Sequence, residues 1–402
     1  MTKIFRVWGD VIHDSRGDTT VQATVQTDGN VTGSAAIPAG ASKGAFEAAI
    51  VEPNQAVSNI SNFIEPVLRG VEITDQRLID QKMLDLDGTG NKSKLGANSI
   101  LGVSMAAARA GAKTTEVELY RYIAALADRQ SFTVPIPMFN LINGGKHATN
   151  NLDVQEFMVV PDRISGYHNQ LSAGQLIFTT LGQILESDRI DRSFGDEGGY
   201  APNLDTNEMA CDYLVRAIKD SGYKKWEEVS LALDVAASNV SPTFDMTPSR
   251  YLGFLQDFPI LSLEDPFPEE SWEDWSKFLL QMEKSIATDK KLLLVGDDLY
   301  VTNPQRLQRG ITEKTTNAVL IKLNQIGSVS ETMTVMEMAR TAGMVTIVSH
   351  RSGETLDDFI VDFAVGMGAQ FIKSGAPNET HPERMTKYRR LLAIERQLLT
   401  PQ

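Results

Sequence analysis

Six charged residues end six apolar segments at similar spacings along the second half of the chain. They are Asp234 after SLAL, Glu264 after ILSL, Asp297 after LLLVG, Lys322 after NAVLI, His350 after VTIVS and Lys373 after AQFI. Neighbouring members lie 23 to 33 residues apart, which is the length of one strand and one helix. A single charged strand end is usually only solvated, but six in succession predict that these side chains converge on a site.

The three acids among them predict a metal site. Asp234, Glu264 and Asp297 offer hard oxygen donors, and the chain has a single cysteine, so soft thiolate ligation has no support. Three carboxylates with room for water and substrate suit Mg²⁺, which prefers octahedral oxygen ligands. An alternative is that the acids form ion pairs with Lys322 and Lys373, and both arrangements can hold together.

The two lysines predict base chemistry. Beside a divalent cation, the pKa of Lys322 and of Lys373 should be lowered, because nearby positive charge disfavours the ammonium form. A neutral lysine can remove a proton from carbon while a metal stabilises the enolate that forms. The second lysine can stay charged and hold the oxyanion.

Further polar residues could complete such a site. Glu197 lies between glycines in GDEGG, where the backbone can turn tightly, and could protonate a leaving hydroxide. Arg351 follows His350 directly and offers a fork of donors suited to phosphate or carboxylate. His147, in GGKHA, is the other histidine candidate. The loop PAGASKGAFEAA could cradle an anion or act as a mobile lid, although alone it is a weak signal.

The elements that must position these residues form a β/α barrel. Strand and helix patterns are predicted to alternate from a joint in SFTVPIPMFNLINGG to the end of the chain, and the carboxyl ends of barrel strands meet at one mouth. We therefore predict an α/β fold with a barrel catalytic domain over residues 133–402 and an α+β domain over residues 1–132.

The N-terminal domain is predicted to begin with a three-stranded meander followed by helices. Strands are expected at Ile4–Trp8, Val21–Thr27 and residues 31–37, with a turn at Asp28-Gly29-Asn30. Helical patterns follow at residues 54–68, at residues 75–84 and in NSILGVSMAAARAGA, whose small residues predict a close helix–helix approach.

Composition limits the partners. The 402 residues carry a formal net charge of −14, which argues against a nucleic-acid-binding surface. A small anionic substrate remains compatible, because local cations or a metal can reverse the field in a cleft. No apolar run of membrane-spanning length and no signal-peptide pattern is present, so we expect a cytoplasmic protein without a membrane partner. Cys211 lies in an amphipathic helical pattern and is expected to be packing.

The chain resembles the enolase family. The matching blocks include DSRGDTTV, GASKG, DGTGNKSKLGANSILGVSMA, PIPMFNLINGGKHA, QEFM, GDEGGYAPN, ALDVAAS, LEDP, VGDDLYVTN, IKLNQIGS, SHRSGET and FIKSGAP. They run in the family's order from near residue 10 to near residue 377, so the resemblance covers nearly the whole chain. It implies an N-terminal α+β domain on an eight-stranded barrel.

The resemblance also implies roles for single residues. The general base is Lys322 and the general acid Glu197, assisted by Glu156. The other implied positions are Asp234, Glu264 and Asp297 for the first Mg²⁺, Ser42 for a second Mg²⁺ and the substrate, Gln155 and Lys373 beside the substrate, Arg351 and Ser352 for phosphate, and His147 and His350 closing around it. The implied reaction is the Mg²⁺-dependent, reversible dehydration of 2-phosphoglycerate to phosphoenolpyruvate, with two Mg²⁺ ions per site and a homodimer or an octamer of dimers. Lys43 departs from the family's usual threonine and adds positive charge beside the expected phosphate.

Two other hypotheses were weighed against the family's own reaction. Another superfamily dehydratase could act on a different carboxylate, such as an acid sugar, but it would have no reason to combine Glu197, Glu156 and the SHRSGE segment. A non-catalytic, surface-binding role predicts loss of charged site residues, and none has been lost.

Overall fold

The N-terminal part of the protein is a three-stranded antiparallel sheet covered by helices. The computed structural model describes residues 2–40, 44–240, 247–285 and 292–400. Strands β1 (Ile4–His13), β2 (Thr19–Thr27) and β3 (Thr32–Ala36) lie in the order β1-β2-β3, which confirms the predicted meander. The turn between β2 and β3 closes with Asn30 in the left-handed region at φ 62°, a conformation that asparagine tolerates.

Five α-helices follow this sheet in the portion of the N-terminal part that the structure describes. They are α1 (Pro53–Asn59), α2 (Glu65–Leu68), which is joined to α1 by a π-helical turn at Ile60–Ile64, α3 (Gln76–Asp87), α4 (Ala97–Thr114) and α5 (Leu119–Leu126). The small residues of α4 allow two neighbouring elements, α5 and the sheet, to pack closely against this helix. The predicted helix–helix approach occurs at Gly111, where a Cβ would lie 2.4 Å from the hydroxyl of Tyr122 in α5. The sheet also lies close to α4, since a Cβ on Gly33 would lie 2.2 Å from the carbonyl oxygen of Ala106.

The second part is a closed eight-stranded barrel. Its strands are β4 (Ile136–Asn143), β5 (Glu156–Val160), β6 (Ser230–Asp234), β7 (Ile260–Glu264), β8 (Leu293–Gly296), β9 (Ala318–Ile321), β10 (Val345–Ser349) and β11 (Phe371–Lys373). The order around the barrel is β10-β11-β4-β5-β6-β7-β8-β9, and the eight-stranded fold is confirmed. Strand β5 runs antiparallel to both of its neighbours, whereas the other pairs are parallel.

The prediction of strict strand–helix alternation from the joint onward was wrong at its start. The barrel opens with the two consecutive strands β4 and β5, followed by two consecutive helices. Within the described part of this region, nine α-helices surround the strands: α6 (Tyr167–Ser187), α7 (Asn207–Asp220), α8 (Pro248–Asp257), α9 (Trp272–Ser285), α10 (Pro304–Glu313), α11 (Leu323–Ile326), α12 (Val329–Thr341), α13 (Phe359–Met367) and α14 (Pro382–Leu399). Alternation holds from β6 onward, as predicted from the spacing of the charged strand ends.

Two apolar layers hold the barrel together. Its interior is filled by buried side chains such as Met138, Met158 and Ile347, while a larger cluster packs the outer faces of the strands against the helices. Cys211 belongs to that outer cluster, which confirms its predicted packing role. Among the described residues, none of the helices combines the length and the apolar character needed to cross a bilayer.

A buried carboxyl between the two parts leads to a prediction about stability. Asp80 of α3 accepts hydrogen bonds from Gln76 Nε2 at 3.0 Å and from the backbone N–H of Ser330 at 2.9 Å. Burial raises the pKa of Asp80 to about 6 from 3.8. Because the folded pKa is the higher one, the stability that goes with the protonated form is lost as pH rises from about 4 through 6.

We therefore expect Asp80→Asn to gain stability relative to wild type as pH rises. From pH 5 to pH 8, the free energy of unfolding of wild type minus that of the variant should fall by about 1.4 kcal/mol. Denaturant unfolding at several pH values measures this difference, with the exposed Asp85→Asn in the same helix as the control. A difference that is flat with pH would contradict the assignment.

Candidate active site

The predicted acids lie side by side at one mouth of the barrel. In the strand register, Asp234 of β6 is paired with Glu264 of β7 on one side and with Glu156 of β5 on the other. Asp297 directly follows β8. Because β5 is antiparallel, its first residue rather than its last lies at this mouth, which brings Glu156 into the row of acids.

The two predicted lysines lie among these carboxylates. Lys373 Nζ lies 2.9 Å from Glu156 Oε2, 3.0 Å from both carboxylate oxygens of Glu264 and 3.4 Å from Asp234 Oδ2. Lys322 Nζ lies 2.5 Å from Asp297 Oδ2. The alternative of ion pairs between the acids and the lysines is therefore present in the structure.

The carboxylates set the protonation of the lysines. Burial alone would lower the pKa of Lys322, but the charge of Asp297 outweighs it and raises that pKa. Burial alone would also lower the pKa of Lys373. The charges of Glu156 and Glu264 outweigh this effect and raise that pKa well above its usual value. The direction is opposite to the lowering that the sequence predicted. A lowered pKa would require a divalent cation that offsets the charge of the carboxylates.

The surroundings fit an oxygen-preferring divalent cation such as Mg²⁺. Gln155 Nε2 donates to Asp234 Oδ2 at 3.2 Å, and its buried Oε1 has no hydrogen-bond partner among the described residues. The carboxylates of Asp234, Glu264 and Asp297, with this spare amide oxygen, form the hard donor set that Mg²⁺ selects. Ser42, the predicted ligand of a second ion, lies outside the described residues, as does Lys43.

Two groups within the described chain bring possible ligand atoms within 4.8 Å of one another. They are His147, Glu156 and Glu197, and Asp265, Asp297 and Asp298. Asp265 accepts hydrogen bonds from the backbone N–H groups of Asp297 and Asp298 at 3.0 and 2.7 Å, so it shapes the turn after β8. Burial and the charge of Asp297 raise the pKa of Asp298 to about 7. Sequence reasoning missed Asp265 and Asp298, although each directly follows a predicted ligand.

Glu197 lies in the tight turn that its glycines allow. Gly198 has a φ of 80°, and a Cβ on Gly199 would lie 2.7 Å from Asn143 Oδ1, so the two positions admit little besides glycine. The carboxylate of Glu197 accepts a hydrogen bond from Asn140 Nδ2 at 2.9 Å. His147 Nδ1 lies 3.5 Å from both Glu156 Oε1 and Glu197 Oε1, so it is placed between the two carboxylates.

The two glutamates differ in protonation. Burial and the neighbouring charge of Glu197 raise the pKa of Glu156 well above its ordinary value. Burial alone would raise the pKa of Glu197, but His350 and His147 hold that pKa well below its ordinary value. Of the two carboxyls, Glu156 therefore holds a proton more readily than Glu197.

A buried arginine fixes the orientation of His350. Arg384 of α14 is fully buried, and its Nη1 lies 2.6 Å from His350 Nδ1. Because a guanidinium can only donate, Nδ1 must accept and Nε2 carries the proton toward Glu197 Oε2, 3.3 Å away. Burial lowers the pKa of His350 to about 4, so the ring is neutral at pH 7. Sequence reasoning missed Arg384, since one arginine within an amphipathic helix carries no signal.

The predicted phosphate-binding pair lies at the edge of the same cavity. Arg351 and Ser352 are both buried and line it together with Glu156, Glu197 and Lys322. Arg351 donates to Asn324 Oδ1 at 2.9 Å and faces Glu47, a residue that sequence reasoning missed. Ser352 Oγ accepts a hydrogen bond from Arg16 at 3.4 Å. Apart from Ser42, which is not described, all predicted site residues except Glu264 line this cavity, and Glu264 lies beneath it against Lys373.

Comparison with known protein families agrees with this architecture. A family model described as "Enolase, N-terminal domain" matches residues 4–123. A second, described as "Enolase, C-terminal TIM barrel domain", matches residues 131–247 and 239–401. The matches span both parts of the fold and support a lyase-type enzyme of the enolase superfamily, whose members use Mg²⁺. The chain therefore belongs to the enolase family.

Proposed function

We propose that this protein catalyses the reversible Mg²⁺-dependent dehydration of 2-phospho-D-glycerate to phosphoenolpyruvate, the enolase step of glycolysis and gluconeogenesis. The observation that carries the proposal is the opposition of a base and an acid group across the barrel mouth. Lys322 follows β9, and Glu156 begins β5, which lies four positions away in the ring of eight strands. An anti elimination of water across two carbons uses such groups on opposite faces of the substrate.

The proposed chemistry uses both groups in sequence. The proton on carbon 2 passes to Lys322 Nζ, and the electron pair left behind is delocalised into the substrate carboxylate as an enolate. The bond between carbon 3 and its hydroxyl then breaks while the electron pair forms the double bond between carbons 2 and 3. Glu197 passes to the departing hydroxide a proton taken from Glu156, and water leaves. Glu156 is the source of this proton, and His147 lies close to both Glu156 and Glu197.

The remaining predicted residues bind the substrate. Arg351 and Ser352 are proposed to hold the phosphate, and Lys373 to lie beside the carboxylate. Asp234, Glu264 and Asp297 would hold Mg²⁺, which when bound would stabilise negative charge developing on the substrate carboxylate. His350, held by Arg384, has its Nε2 3.3 Å from Glu197 Oε2 and is proposed to help orient that carboxylate.

The direct test follows phosphoenolpyruvate by its ultraviolet absorbance after adding 2-phosphoglycerate to the purified protein. We expect absorbance to rise with Mg²⁺ and to stay flat after chelation by EDTA, with activity restored by excess Mg²⁺. Glycerate without the phosphate is the matched control and should give no product. Absence of product with Mg²⁺ present would refute the proposal, and turnover of acid sugars instead would favour another dehydratase of the superfamily.

A further inference from the structure

Arg351 is paired with a carboxylate of its own chain. Its Nη1 lies 3.1 Å from Glu47 Oε2, and its Nη2 lies 3.1 Å from Glu47 Oε1. The side chains of Arg351 and Glu47 are 6% and 10% exposed, so solvent screens this contact little. Such a two-pronged arrangement is the one by which a guanidinium binds a carboxylate or a phosphate. Glu47 thus occupies the donors that a substrate phosphate would use.

The position of Arg351 is supported without Glu47. Its Nη1 also donates to Asn324 Oδ1 at 2.9 Å, and its backbone N–H donates to Glu354 Oε1 at 3.2 Å. Arg384 further donates to the carbonyl oxygen of Arg351 at 2.7 Å. The guanidinium therefore stays near the cavity when the carboxylate of Glu47 leaves it.

A second cavity adjoins the side chain of Glu47. Besides the active-site cavity, Glu47 lines a second cavity of about 280 Å³, which Arg351 also borders. The far wall of this second cavity includes Pro38, Ile50 and Val51. The space is larger than a carboxylate needs, and a move of Glu47 into it would also break the hydrogen bond that Glu47 Oε1 accepts from the backbone N–H of Gly44 at 3.1 Å.

We propose that Glu47 is a specificity-determining residue that competes with the substrate phosphate for Arg351. A phosphate dianion carries more charge and more acceptor oxygens than a carboxylate, so it displaces Glu47 into the second cavity. An unphosphorylated hydroxy acid has no group that can do this, and Arg351 stays masked. The inference rests on the proposed function, because it assigns the phosphate to Arg351.

Whether one substitution strengthens or weakens phosphate binding tests the competition between Glu47 and phosphate. Glu47→Gln keeps the shape of the side chain and removes the charge that competes. We expect the dissociation constant for inorganic phosphate, measured by titration calorimetry, to fall by about tenfold in the variant, since loss of about 1.4 kcal/mol of competition corresponds to that factor. If Glu47 instead serves to position Arg351, the variant should bind phosphate more weakly. Weaker or unchanged binding would overturn the proposal.

Two further variants make the result decisive. Glu52→Gln removes the same charge from an exposed position at the second cavity, and it should leave phosphate affinity unchanged. If Glu47→Gln does not fold, Glu47→Asp is the substitute, because the shorter side chain cannot reach both nitrogens and should also tighten phosphate binding. The titration needs no turnover, so it stays separate from the phosphoenolpyruvate assay that tests the proposed function.

Discussion

Lys322→Ala is expected to lower the rate of phosphoenolpyruvate formation by about 10³-fold, because it removes the proposed base. The same variant should lose the exchange of the carbon-2 proton of 2-phosphoglycerate with solvent deuterium. Proton NMR in D₂O measures this exchange directly, apart from the later loss of hydroxide. Retention of exchange at a rate near that of wild type would show that another residue is the base.

The variant also removes a buried ion-pair partner, so its folding must be checked. Asp297 loses the contact to Lys322 but keeps a hydrogen bond from Gln325 Nε2 at 2.9 Å, which holds its carboxylate in place. Lys146→Ala is the matched control: this exposed lysine lies in the loop that carries His147 and contacts Asn239. It should retain near-normal exchange and turnover. Thermal unfolding of both variants then separates lost chemistry from lost structure.

The part of the site that sequence predicted best is the set of parallel strands from β6 to β11. Each of these strands is a short apolar run, and a charged residue ends it or follows it by one position, as at Asp234 and Lys322. The carboxyl ends of parallel strands meet at one mouth, so strand positions alone brought these side chains together. This inference needed the spacing and the apolar pattern, both of which are local properties of the chain.

The first two barrel strands could not be predicted in this way. An apolar run such as EFMVV has the same pattern whether its strand runs parallel or antiparallel to its neighbours, and direction depends on pairing with distant segments. Since β5 is antiparallel, its first residue faces the mouth, and a search of strand ends passes over Glu156. The resemblance to the enolase family supplied Glu156 instead.

Contacts between residues that lie far apart in the sequence could not be predicted from local patterns either. Glu47 and Arg351 are 304 residues apart, and Arg384 reaches His350 from the last helix. The protonation of the lysines shows the same limit. The sequence-based prediction for the pKa of Lys322 included only the effect of a metal. The structure adds the charge of Asp297, which acts in the opposite direction. Such balances depend on distances of a few ångströms that no spacing of residues specifies.

Glu197→Gln is expected to lower phosphoenolpyruvate formation by about 10² to 10⁴-fold while leaving carbon-2 proton exchange in place. The variant keeps the size of the side chain and a carbonyl oxygen for Asn140, but it cannot supply a proton to the departing hydroxide. Lys322, across the barrel mouth, remains able to remove and return the proton on carbon 2. Turnover and exchange should therefore separate in this variant, unlike in Lys322→Ala, where both are lost.

That separation distinguishes an acid from a residue that only supports the site. A structural role for Glu197 would disturb His147, His350 and the cavity together, and exchange would then fall in parallel with turnover. The exposed Glu186→Gln serves as the control for loss of one carboxylate and should leave both measurements unchanged. Glu156→Gln should resemble Glu197→Gln, because Glu156 is the proposed source of the proton that Glu197 passes on. If Glu156→Gln kept full turnover, the proton would have to reach the hydroxide through Glu197 alone.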